Sequence, residues 1–288
     1  MIFYKQIKKL SDDYVENKIK VFLEEDIPNE DITSMGTVDK NTQIIAEIHA
    51  VEEMIFSGTQ IIKSIFKFIS NVDLLVSDGD SLKPGDSICR IQGNAIQILS
   101  RERVLLNLIQ RMSGIATNVR KYVKLAKQND VLILDTRKTT PGLRRFEKYA
   151  VTCGGGFNHR YSLSDGILIK DNHIKAAGGV KSAIEKVKSK NFNLPIEIEV
   201  DYLDQISEAL DSGAEGILLD NMSPEKTVKA VELIRSTING ENIFIESSGG
   251  MNYQNFHHYL NTGINAISIG GLTHSVISSD IRMEFKSI

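Results

Sequence analysis

The feature that most constrains the fold is a repeat of short apolar runs in the second half of the chain, each ending abruptly in a polar residue or a glycine. Their β-branched and aliphatic residues are typical of buried strands. The runs end at Asp135, Lys170, Glu199, Asp220, Glu246 and Gly270. Helical patterns lie between them, at residues 143–151, 179–188, 203–210, 224–234 and 253–260. This βα repeat predicts a parallel sheet with right-handed crossovers.

A parallel sheet of this kind can stay open or close into a barrel. A complete eightfold barrel takes about 250 residues, and too few residues follow Asp130 for one. A barrel is nevertheless favoured, because every strand end carries a group suited to one shared site, whereas an open sheet uses mainly its switch point. We therefore predict an incomplete parallel α/β barrel with fewer than eight strands.

The first part of the chain mixes helical and strand patterns. We predict helices at residues 11–25 and 58–69 and strands at residues 43–51 and 72–76. This order indicates an α/β sandwich. A long helical pattern follows at residues 96–127, and its interruption near Ser113 and Gly114 predicts two helices. The predicted domains are a sandwich domain at 1–112, the barrel at 113–274 and a segment at 275–288 that packs on the N-terminal domain.

Composition limits the classes of partner. The 34 basic and 37 acidic side chains give a formal net charge of -3, so no overall positive field attracts nucleic acid. Two cysteines are too few for a disulfide framework, which fits a reducing compartment. We find no apolar run of about 18 residues and no signal-peptide pattern at the start. We therefore expect a cytoplasmic protein that binds neither nucleic acid nor membrane.

Cations and glycines are concentrated between the strand that ends at Asp135 and the strand that ends at Lys170. The cations at strand ends or beside the glycine run 154–156 are Arg137, Lys138, His159, Arg160 and Lys170. Consecutive glycines allow close approach of backbone N–H groups, and guanidinium groups match carboxylate or phosphate oxygens in pairs. This pattern predicts a binding site for a small dianion. Arg144, Arg145 and Lys148 are instead assigned to the solvent face of a helix that Pro141 opens.

Glu199 and Asp220 stand at two consecutive strand ends. Carboxylates there suit ribose hydroxyls or a hydrated Mg²⁺, which takes oxygen ligands and keeps several waters. A carboxylate that caps a neighbouring helix is the structural alternative. The last two strand ends are followed by small residues, namely Ser247, Ser248, Gly249, Gly250, Gly270 and Gly271. Small residues at the last strands of a barrel predict a phosphate site, although simple tight turns also use them.

Residues 78–93 carry Gly-Asp and Pro-Gly turns between short strands, a pattern also found in lipoyl and biotinyl carrier domains. Such carriers need an exposed lysine at a hairpin tip. Lys83 precedes Pro84 and has no flanking methionine. This context of Lys83 argues against a carrier domain, and a carrier or interaction protein is kept only as the alternative to an enzyme.

The segments DTRKTTPG, KYAV, GGGFNHR and LIKDNHI occur here in an order and spacing that resemble the quinolinate phosphoribosyltransferase family. Weaker matches lie upstream in EEDIPNEDIT and RERVLLNLIQRMSGIAT, and downstream in EIEV, ILLDN, IESSGG and ISIGGLTHS. One departure is Glu30, which stands where the family usually has glycine and leaves the turn near Asp31 in question. A related family associated with molybdenum transport is the second alternative, and titration with quinolinate and with molybdate would separate the two.

The resemblance implies a sandwich domain, a barrel with fewer than eight strands and a reaction. Quinolinate and phosphoribosyl pyrophosphate would give nicotinate mononucleotide, pyrophosphate and carbon dioxide, with Mg²⁺ as the cofactor. It also implies a homodimer, or a higher oligomer, in which Arg103 reaches the site of the neighbouring subunit.

The resemblance assigns roles to individual residues. The catalytic residues it implies are Lys138, Glu199 and Asp220. For quinolinate it implies Arg103, Arg137, Lys138, His159, Arg160 and Lys170. For phosphoribosyl pyrophosphate it implies Lys170, Glu199, Asp220, Ser247, Ser248, Gly249, Gly250, Gly270 and Gly271. Glu199 and Asp220 would hold Mg²⁺, directly or through water.

Overall fold

The computed structural model describes residue 2 and residues 4–287, which form two compact units. The sandwich unit consists of Ile7–Arg120, Arg145–Gly155 and the chain from Val276 onward. The barrel unit consists of Lys121–Arg144, Gly156–Ser275 and the start of the chain up to Gln6. The predicted domain boundaries, 1–112, 113–274 and 275–288, stay a prediction.

The helices and strands are numbered in chain order. The helices are α1 Asp12–Asp26, α2 Ile32–Thr37, α3 Thr59–Ile65, α4 Ala95–Ala126, α5 Arg144–Cys153, α6 Asp171–Ala177, α7 Val180–Lys188, α8 Asp204–Asp211, α9 Pro224–Arg235 and α10 Gly271–His274. The strands are β1 Gln43–Ala50, β2 Met54–Ile55, β3 Ser70–Leu74, β4 Ser81–Leu82, β5 Ser87–Asn94, β6 Leu132–Leu134, β7 Ile167–Ile169, β8 Ile196–Val200, β9 Gly216–Asp220, β10 Phe244–Ser248, β11 Ala266–Ser268 and β12 Ile281–Ser287. Within this described part of the chain, no helix has the length and apolar character needed to cross a membrane.

The sandwich unit is built on an antiparallel sheet with the strand order β12-β1-β5-β3. Alternate residues of β1 and β5 are buried, as a sheet with one covered face requires. The last strand, β12, pairs with β1, and Ile281 lies opposite Ala50. Helices α1 and α3 pack together, and α3 buries Ile61 and Ile62. This arrangement confirms the predicted α/β sandwich.

The prediction that the long helix breaks near Ser113 and Gly114 is wrong, since α4 runs without interruption from Ala95 to Ala126. The small residues serve close packing within the sandwich unit. The Ser113 hydroxyl accepts a hydrogen bond from the Ser57 backbone N–H at 3.1 Å. A Cβ atom on Gly114 would lie 2.1 Å from the Ile277 carbonyl oxygen. Gly114 therefore marks a close backbone approach, not a helix end.

We expect Gly114→Ala to destabilise the protein although alanine is the better helix former. The added methyl forces the Ile277 backbone away, and such overpacking costs about 1–3 kcal/mol. Gly36→Ala in α2 is the matched control, because a Cβ added to Gly36 would meet nothing within 4 Å, and it should be neutral or stabilising by up to about 1 kcal/mol. Urea denaturation of both variants measures the difference. Equal stabilities would contradict the close approach.

The barrel unit contains a six-stranded parallel sheet with the order β6-β11-β10-β9-β8-β7. The outermost strands, β6 and β7, do not pair with each other among the described residues, so the barrel is incomplete as predicted. Its strands are buried on both faces, for example all five residues of β8, because helices and side chains cover them.

Two helix predictions in the barrel unit need correction. Residues 253–260 form only a 3₁₀ turn, Phe256–Tyr259. The side-chain oxygens of Asn252 and Asn255 accept hydrogen bonds from backbone N–H groups of this segment, at 2.8–3.2 Å. These bonds compete with helix formation. The interval after Lys170 holds two helices, α6 and α7, where one was predicted.

The assignment of Arg144, Arg145 and Lys148 to a solvent face is also wrong. Lys148 is fully buried and both arginines are half-buried. Helix α5 is buried over most of its circumference, because Phe146, Glu147, Ala150 and Val151 are buried as well. Within the sandwich unit the guanidinium of Arg145 lies 4.8 Å from the ring centroid of Tyr14. For Arg145, this contact with an aromatic ring takes the place of part of the expected hydration.

Two of the three glycines in the run 154–156 do not offer their N–H groups to a ligand as the sequence suggested. The Gly154 and Gly155 N–H groups donate to the carbonyls of Ala150 and Thr152, at 3.0 Å each, and close the end of α5. A Cβ on Gly154 would lie 2.6 Å from the Ala116 carbonyl oxygen of α4. These glycines therefore serve a helix end and close packing inside the sandwich unit.

Candidate active site

The inner face of the barrel sheet carries an unusual set of acidic side chains. A Cβ added to Gly216 of β9 would point toward Ile2 and Glu197. Gly216 and Glu197 therefore lie on the same face of the sheet, the inner face. Since side chains alternate along a strand, Glu199 shares the face with Glu197, and Asp220 shares it with Gly216. Glu199 lies beside Leu218 in the register of β8 with β9. The two predicted carboxylates, Glu199 and Asp220, therefore end neighbouring strands on one face.

Asp135 organises the end of β6. Phe157 extends β6 by a bridge to Leu134, and the Asp135 N–H donates to the Phe157 carbonyl at 3.0 Å. The buried Asp135 carboxylate accepts from the Asn158 side chain at 2.7 Å and from the His159 N–H at 2.9 Å. The sequence showed Asp135 only as a strand end. In the structure it fixes the turn that carries His159 and Arg160.

His159 points into the barrel interior. It is 5% exposed, and its ring stacks on Tyr4 with 4.4 Å between centroids. Its Nδ1 accepts the Arg160 N–H at 2.7 Å, so the ring proton is on Nε2. Nε2 lies 3.6 Å from carboxylate oxygens of both Glu197 and Glu246. His159 was predicted as a direct ligand of quinolinate, which stays a prediction, but its ring nitrogens face protein atoms.

Three side chains of this cluster have the composition of a metal site. The ligand atoms of His159, Glu197 and Glu246 lie within 4.8 Å of one another. A histidine nitrogen binds a metal through its lone pair, and the protonated Nε2 has none to offer. The arrangement therefore suits hydrogen bonding between the imidazole and the carboxylates better than it suits a metal ion.

Burial changes the charge of the two interior glutamates. Burial raises the pKa of Glu197 to about 7, and the hydrogen bond from Tyr4 opposes this rise only in part. The pKa of Glu246 is also well above its usual value, first through burial and then through the negative charge of Glu197. Two carboxylates this close cannot both ionise at low cost. The pair therefore retains protons in the neutral range.

Arg160 and Arg137 form the cationic side of the site near β6. Arg160 is 5% exposed, and its Nη1 donates to the Gly166 carbonyl at 2.9 Å. Burial lowers the pKa of Arg160, and the nearby Arg137 charge lowers it further, although a guanidinium stays protonated. The Nε of Arg137 is buried and has no hydrogen-bond partner among the residues described. Such a donor is expected to bind a ligand or water.

The two predicted lysines lie at other strand ends of the same sheet. Lys170 follows β7, and its Nζ donates to Glu199 Oε2 at 2.6 Å. Lys138 is exposed, and its backbone carbonyl accepts from the Thr273 hydroxyl at 2.8 Å. A Cβ on Gly270 would lie 3.0 Å from Lys138 Cδ, so the lysine stem crosses the end of β11. Both cations are therefore held at the carboxyl edge of the sheet.

The segments at the ends of β9 and β10 pack closely against each other. The Asn221 N–H donates to the Ser248 carbonyl at 2.9 Å, and a Cβ on Gly249 would lie 2.2 Å from the Asn221 side chain. Gly249 has φ +93°, which also favours glycine. Ser247 is fully buried, and because side chains alternate along a strand it lies on the face opposite Ser248. Its assignment to phosphate stays a prediction. Gly250 is exposed, whereas Gly270 and Gly271, at the start of α10, are half-exposed.

Arg103 belongs to the sandwich unit, where it is exposed on α4. The other predicted site residues belong to the barrel unit. Sequence reasoning missed Tyr4, Gln6 and Glu197, and it treated Glu246 as a strand end although β10 continues to Ser248. The alternation Ile-Glu-Ile-Glu-Val in β8 was the one available signal, because it places two carboxylates on one face of a buried strand.

Comparison with known protein families identifies the relatives of this chain. The family model described as "Quinolinate phosphoribosyl transferase, C-terminal domain" matches residues 115–284, and the corresponding "N-terminal domain" model matches residues 31–113. This chain belongs to the quinolinate phosphoribosyltransferase family. The resemblance drawn from the sequence motifs is thereby confirmed.

Curated relatives and solved structures agree with this placement. The chain is 43% identical over 283 residues to the probable nicotinate-nucleotide pyrophosphorylase (carboxylating) of Bacillus subtilis (strain 168), covering 97% of this chain and 93% of that protein. The corresponding enzyme of Mycobacterium leprae is 39% identical over 88% of this chain and 90% of its own length. The nicotinate-nucleotide pyrophosphorylase structure from Francisella tularensis superposes with a TM-score of 0.92 at 36% identity, covering 99% of this chain and 100% of that one.

The fold extends to more distant proteins. Human nicotinic acid phosphoribosyltransferase has a TM-score of 0.59 and 13% identity, covering 94% of this chain and 73% of that chain. At this identity the similarity concerns the fold alone.

Proposed function

We propose that this protein transfers the phosphoribosyl group of phosphoribosyl pyrophosphate to quinolinate, releasing pyrophosphate and carbon dioxide and forming nicotinate mononucleotide for NAD biosynthesis. The observation that carries the proposal is the charge pattern at one edge of the barrel sheet. Cations follow β6 and β7, and carboxylates end β8 and β9. The family relationship to carboxylating nicotinate-nucleotide pyrophosphorylases supports the same reaction.

The cations account for the acid substrate. Arg137, Lys138 and Arg160 can pair with two carboxylates, and the unpartnered Nε of Arg137 is one donor for this purpose. Lys170 pairs with Glu199. It therefore connects the cations assigned to quinolinate with the carboxylates assigned to the ribose. Fixed donors of this kind cost no reorganisation during the reaction. The pyridine nitrogen then attacks the ribose carbon that pyrophosphate leaves. The cationic ring loses its neighbouring carboxylate as carbon dioxide, and the ring carbon that keeps the bonding electrons takes a proton from water.

The carboxylates account for the sugar. Departure of pyrophosphate leaves oxocarbenium character on the ribose, and Glu199 and Asp220 stabilise it electrostatically. The same oxygen donors, at neighbouring strand ends, fit a hydrated Mg²⁺, directly or through water. Bound there, the ion would offset the charge on the departing pyrophosphate. The backbone at Ser247, Ser248, Gly249 and Gly250 and at Gly270 and Gly271 is assigned to the phosphates.

We further infer a homodimer in which Arg103 of one subunit serves the site of the other, as the family resemblance implies. Arg103 is exposed on α4 and can therefore meet a partner. A two-fold pair would contain two such sites. A cytoplasmic location stays the prediction made from the two cysteines.

The proposal is tested by comparing quinolinate with nicotinate as the acceptor. We expect kcat/KM for quinolinate to exceed that for nicotinate by at least about a hundredfold, because nicotinate leaves part of the cation set unpaired. The measurement follows nicotinate mononucleotide, pyrophosphate and carbon dioxide with phosphoribosyl pyrophosphate and Mg²⁺ held constant. Equal turnover of the two acids would overturn the proposal and indicate a different phosphoribosyltransferase.

A further inference from the structure

Ile2 and the segment 4–6 belong to the barrel unit and lie along its inner face. Ile2 packs with Leu134, Phe244 and Ala266 in one buried cluster. Its Cδ1 would lie 2.5 Å from a Cβ on Gly216, so the glycine leaves room for it. Leu132, Phe244 and Ala266 are the first residues of their strands, so Ile2 fills the end of the barrel opposite the proposed site.

Gln6 joins this segment to the turn before His159. Its side-chain Nε2 donates to the Asn158 carbonyl at 3.0 Å, and its Oε1 accepts the Asn158 N–H at 2.7 Å. The two bonds imitate the pairing of two strands and satisfy both backbone groups of Asn158. The start of the chain is thereby tied to the segment that carries two of the predicted substrate-binding residues.

Tyr4 lies between Ile2 and Gln6 and contacts the groups that hold Arg160. Its ring stacks on His159 at 4.4 Å between centroids, with 21° between the ring planes. Its hydroxyl donates to Glu197 Oε2 at 2.6 Å. A Cβ on Gly166 would lie 2.5 Å from the Tyr4 ring. One side chain therefore touches the imidazole, a carboxylate beside it and the glycine whose carbonyl binds Arg160.

Both hydrogen bonds of Arg160 end on groups that Tyr4 contacts. The Arg160 N–H donates to His159 Nδ1 at 2.7 Å, and its Nη1 donates to the Gly166 carbonyl at 2.9 Å. If the imidazole rotated, the backbone of Arg160 would lose its acceptor. If Gly166 shifted, the guanidinium would lose its hydrogen bond to the Gly166 carbonyl. The ring of Tyr4 opposes the first movement by stacking and the second by filling the adjacent space.

We infer that Tyr4 is a positioning residue for Arg160: it fixes the orientation of His159 and the position of Gly166, and through them the direction of the guanidinium toward the substrate carboxylate. The inference rests on the proposed function, because it names quinolinate as the ligand of Arg160. Tyr4 itself touches no reacting atom. Its hydroxyl holds Glu197 in place beside the imidazole, and its ring supplies the stacking surface.

The test uses the full-length protein with Tyr4→Ala, Tyr4→Phe and the control Tyr122→Phe. Tyr122 is also a buried tyrosine of the barrel unit, but it packs on Tyr253 and Phe256. We expect Tyr4→Ala to raise KM for quinolinate about thirtyfold while KM for phosphoribosyl pyrophosphate changes less than about twofold. Tyr4→Phe keeps the stacking and should restore most of the affinity, leaving about a threefold rise. Tyr122→Phe should change neither constant.

A second measurement separates this inference from the proposed function. Hydrogen exchange of the Arg160 amide should quicken about tenfold in Tyr4→Ala, because the ring of Tyr4 no longer holds the acceptor, Nδ1 of His159, in place. An unchanged exchange rate together with an unchanged KM for quinolinate would overturn the role of Tyr4. A wild-type protein that neither binds nor converts quinolinate would overturn the proposed function, while the exchange rate still tests the contact. If Tyr4→Ala does not fold, Tyr4→Leu fills the space without ring or hydroxyl and takes its place.

Discussion

Lys138→Met lowers kcat/KM for quinolinate about a hundredfold and leaves the thermal midpoint of unfolding unchanged. A single preorganised charged donor contributes on the order of 3 kcal/mol to transition-state binding, which corresponds to about a hundredfold in rate. The fold does not depend on the ammonium group, because the Lys138 side chain is exposed and the Thr273 hydroxyl holds only its backbone carbonyl. Steady-state kinetics at subsaturating quinolinate measures the effect.

Lys229→Met is the matched control, since Lys229 is exposed on α9 of the same unit. It should retain normal turnover. Arg160→Ala should lose activity to a similar extent but also unfold at lower temperature, because the Gly166 carbonyl loses its donor. Normal turnover of either Lys138→Met or Arg160→Ala at low quinolinate would mean that the dianion site is elsewhere.

Mixing two inactive proteins, Arg103→Ala and Lys138→Ala, restores activity under subunit exchange. If each site takes Arg103 from one subunit and Lys138 from the other, a heterodimer has one site with both defects and one intact site. Random exchange converts half of the dimers into heterodimers, so about a quarter of the wild-type activity should return. Both parents should stay inactive when incubated alone under the same conditions.

The control mixture combines Arg103→Ala with a protein that carries both substitutions, so that no heterodimer has an intact site. This mixture should stay inactive. Mass spectrometry of differently tagged subunits establishes that exchange has occurred. Activity that stays at the parental level despite exchange would place Arg103 in the site of its own subunit or outside any site, and the inferred shared site would be wrong.

The interior glutamates help to explain how the site keeps its positive character. Glu197 and Glu246 are fully buried close to His159, and two ionised carboxylates there would oppose the field of the cations. Burial raises the pKa of Glu197 to about 7 and raises that of Glu246 as well. The pair therefore carries less than its full negative charge in the neutral range. More of the positive potential of Arg137 and Arg160 remains available to an anionic substrate.

The strand ends could be read from the sequence because they depend on local order. Apolar runs followed by Lys170 and Asp220 mark strands and their ends directly, and the parallel βα repeat brings such ends to one edge. The short motifs around Arg137 and Arg160 likewise indicated the family, since the order and spacing of residues are written in the chain. The barrel, the sandwich and the family were therefore determined by the sequence.

Side-chain environment depended on contacts between distant parts of the chain. Gly114 looked like a helix break until the carbonyl of Ile277 was found beside it. Lys148 looked solvated until α5 proved to be buried over most of its surface. Helical period and turn propensity contain no information about which neighbour covers a face, because that neighbour comes from elsewhere in the chain.

The surroundings of His159 likewise depended on contacts between distant parts of the chain. The sequence identified a histidine beside a glycine run, and an imidazole there can bind an anion, a metal or a proton. Only the tertiary structure showed what surrounds the ring, with the Arg160 N–H on Nδ1 and two buried glutamates near Nε2. Tyr4, from the very start of the chain, stacks on that ring. The chain determined which strands form and where they end, whereas the tautomer, burial and orientation of the site residues arose from contacts that only folding creates.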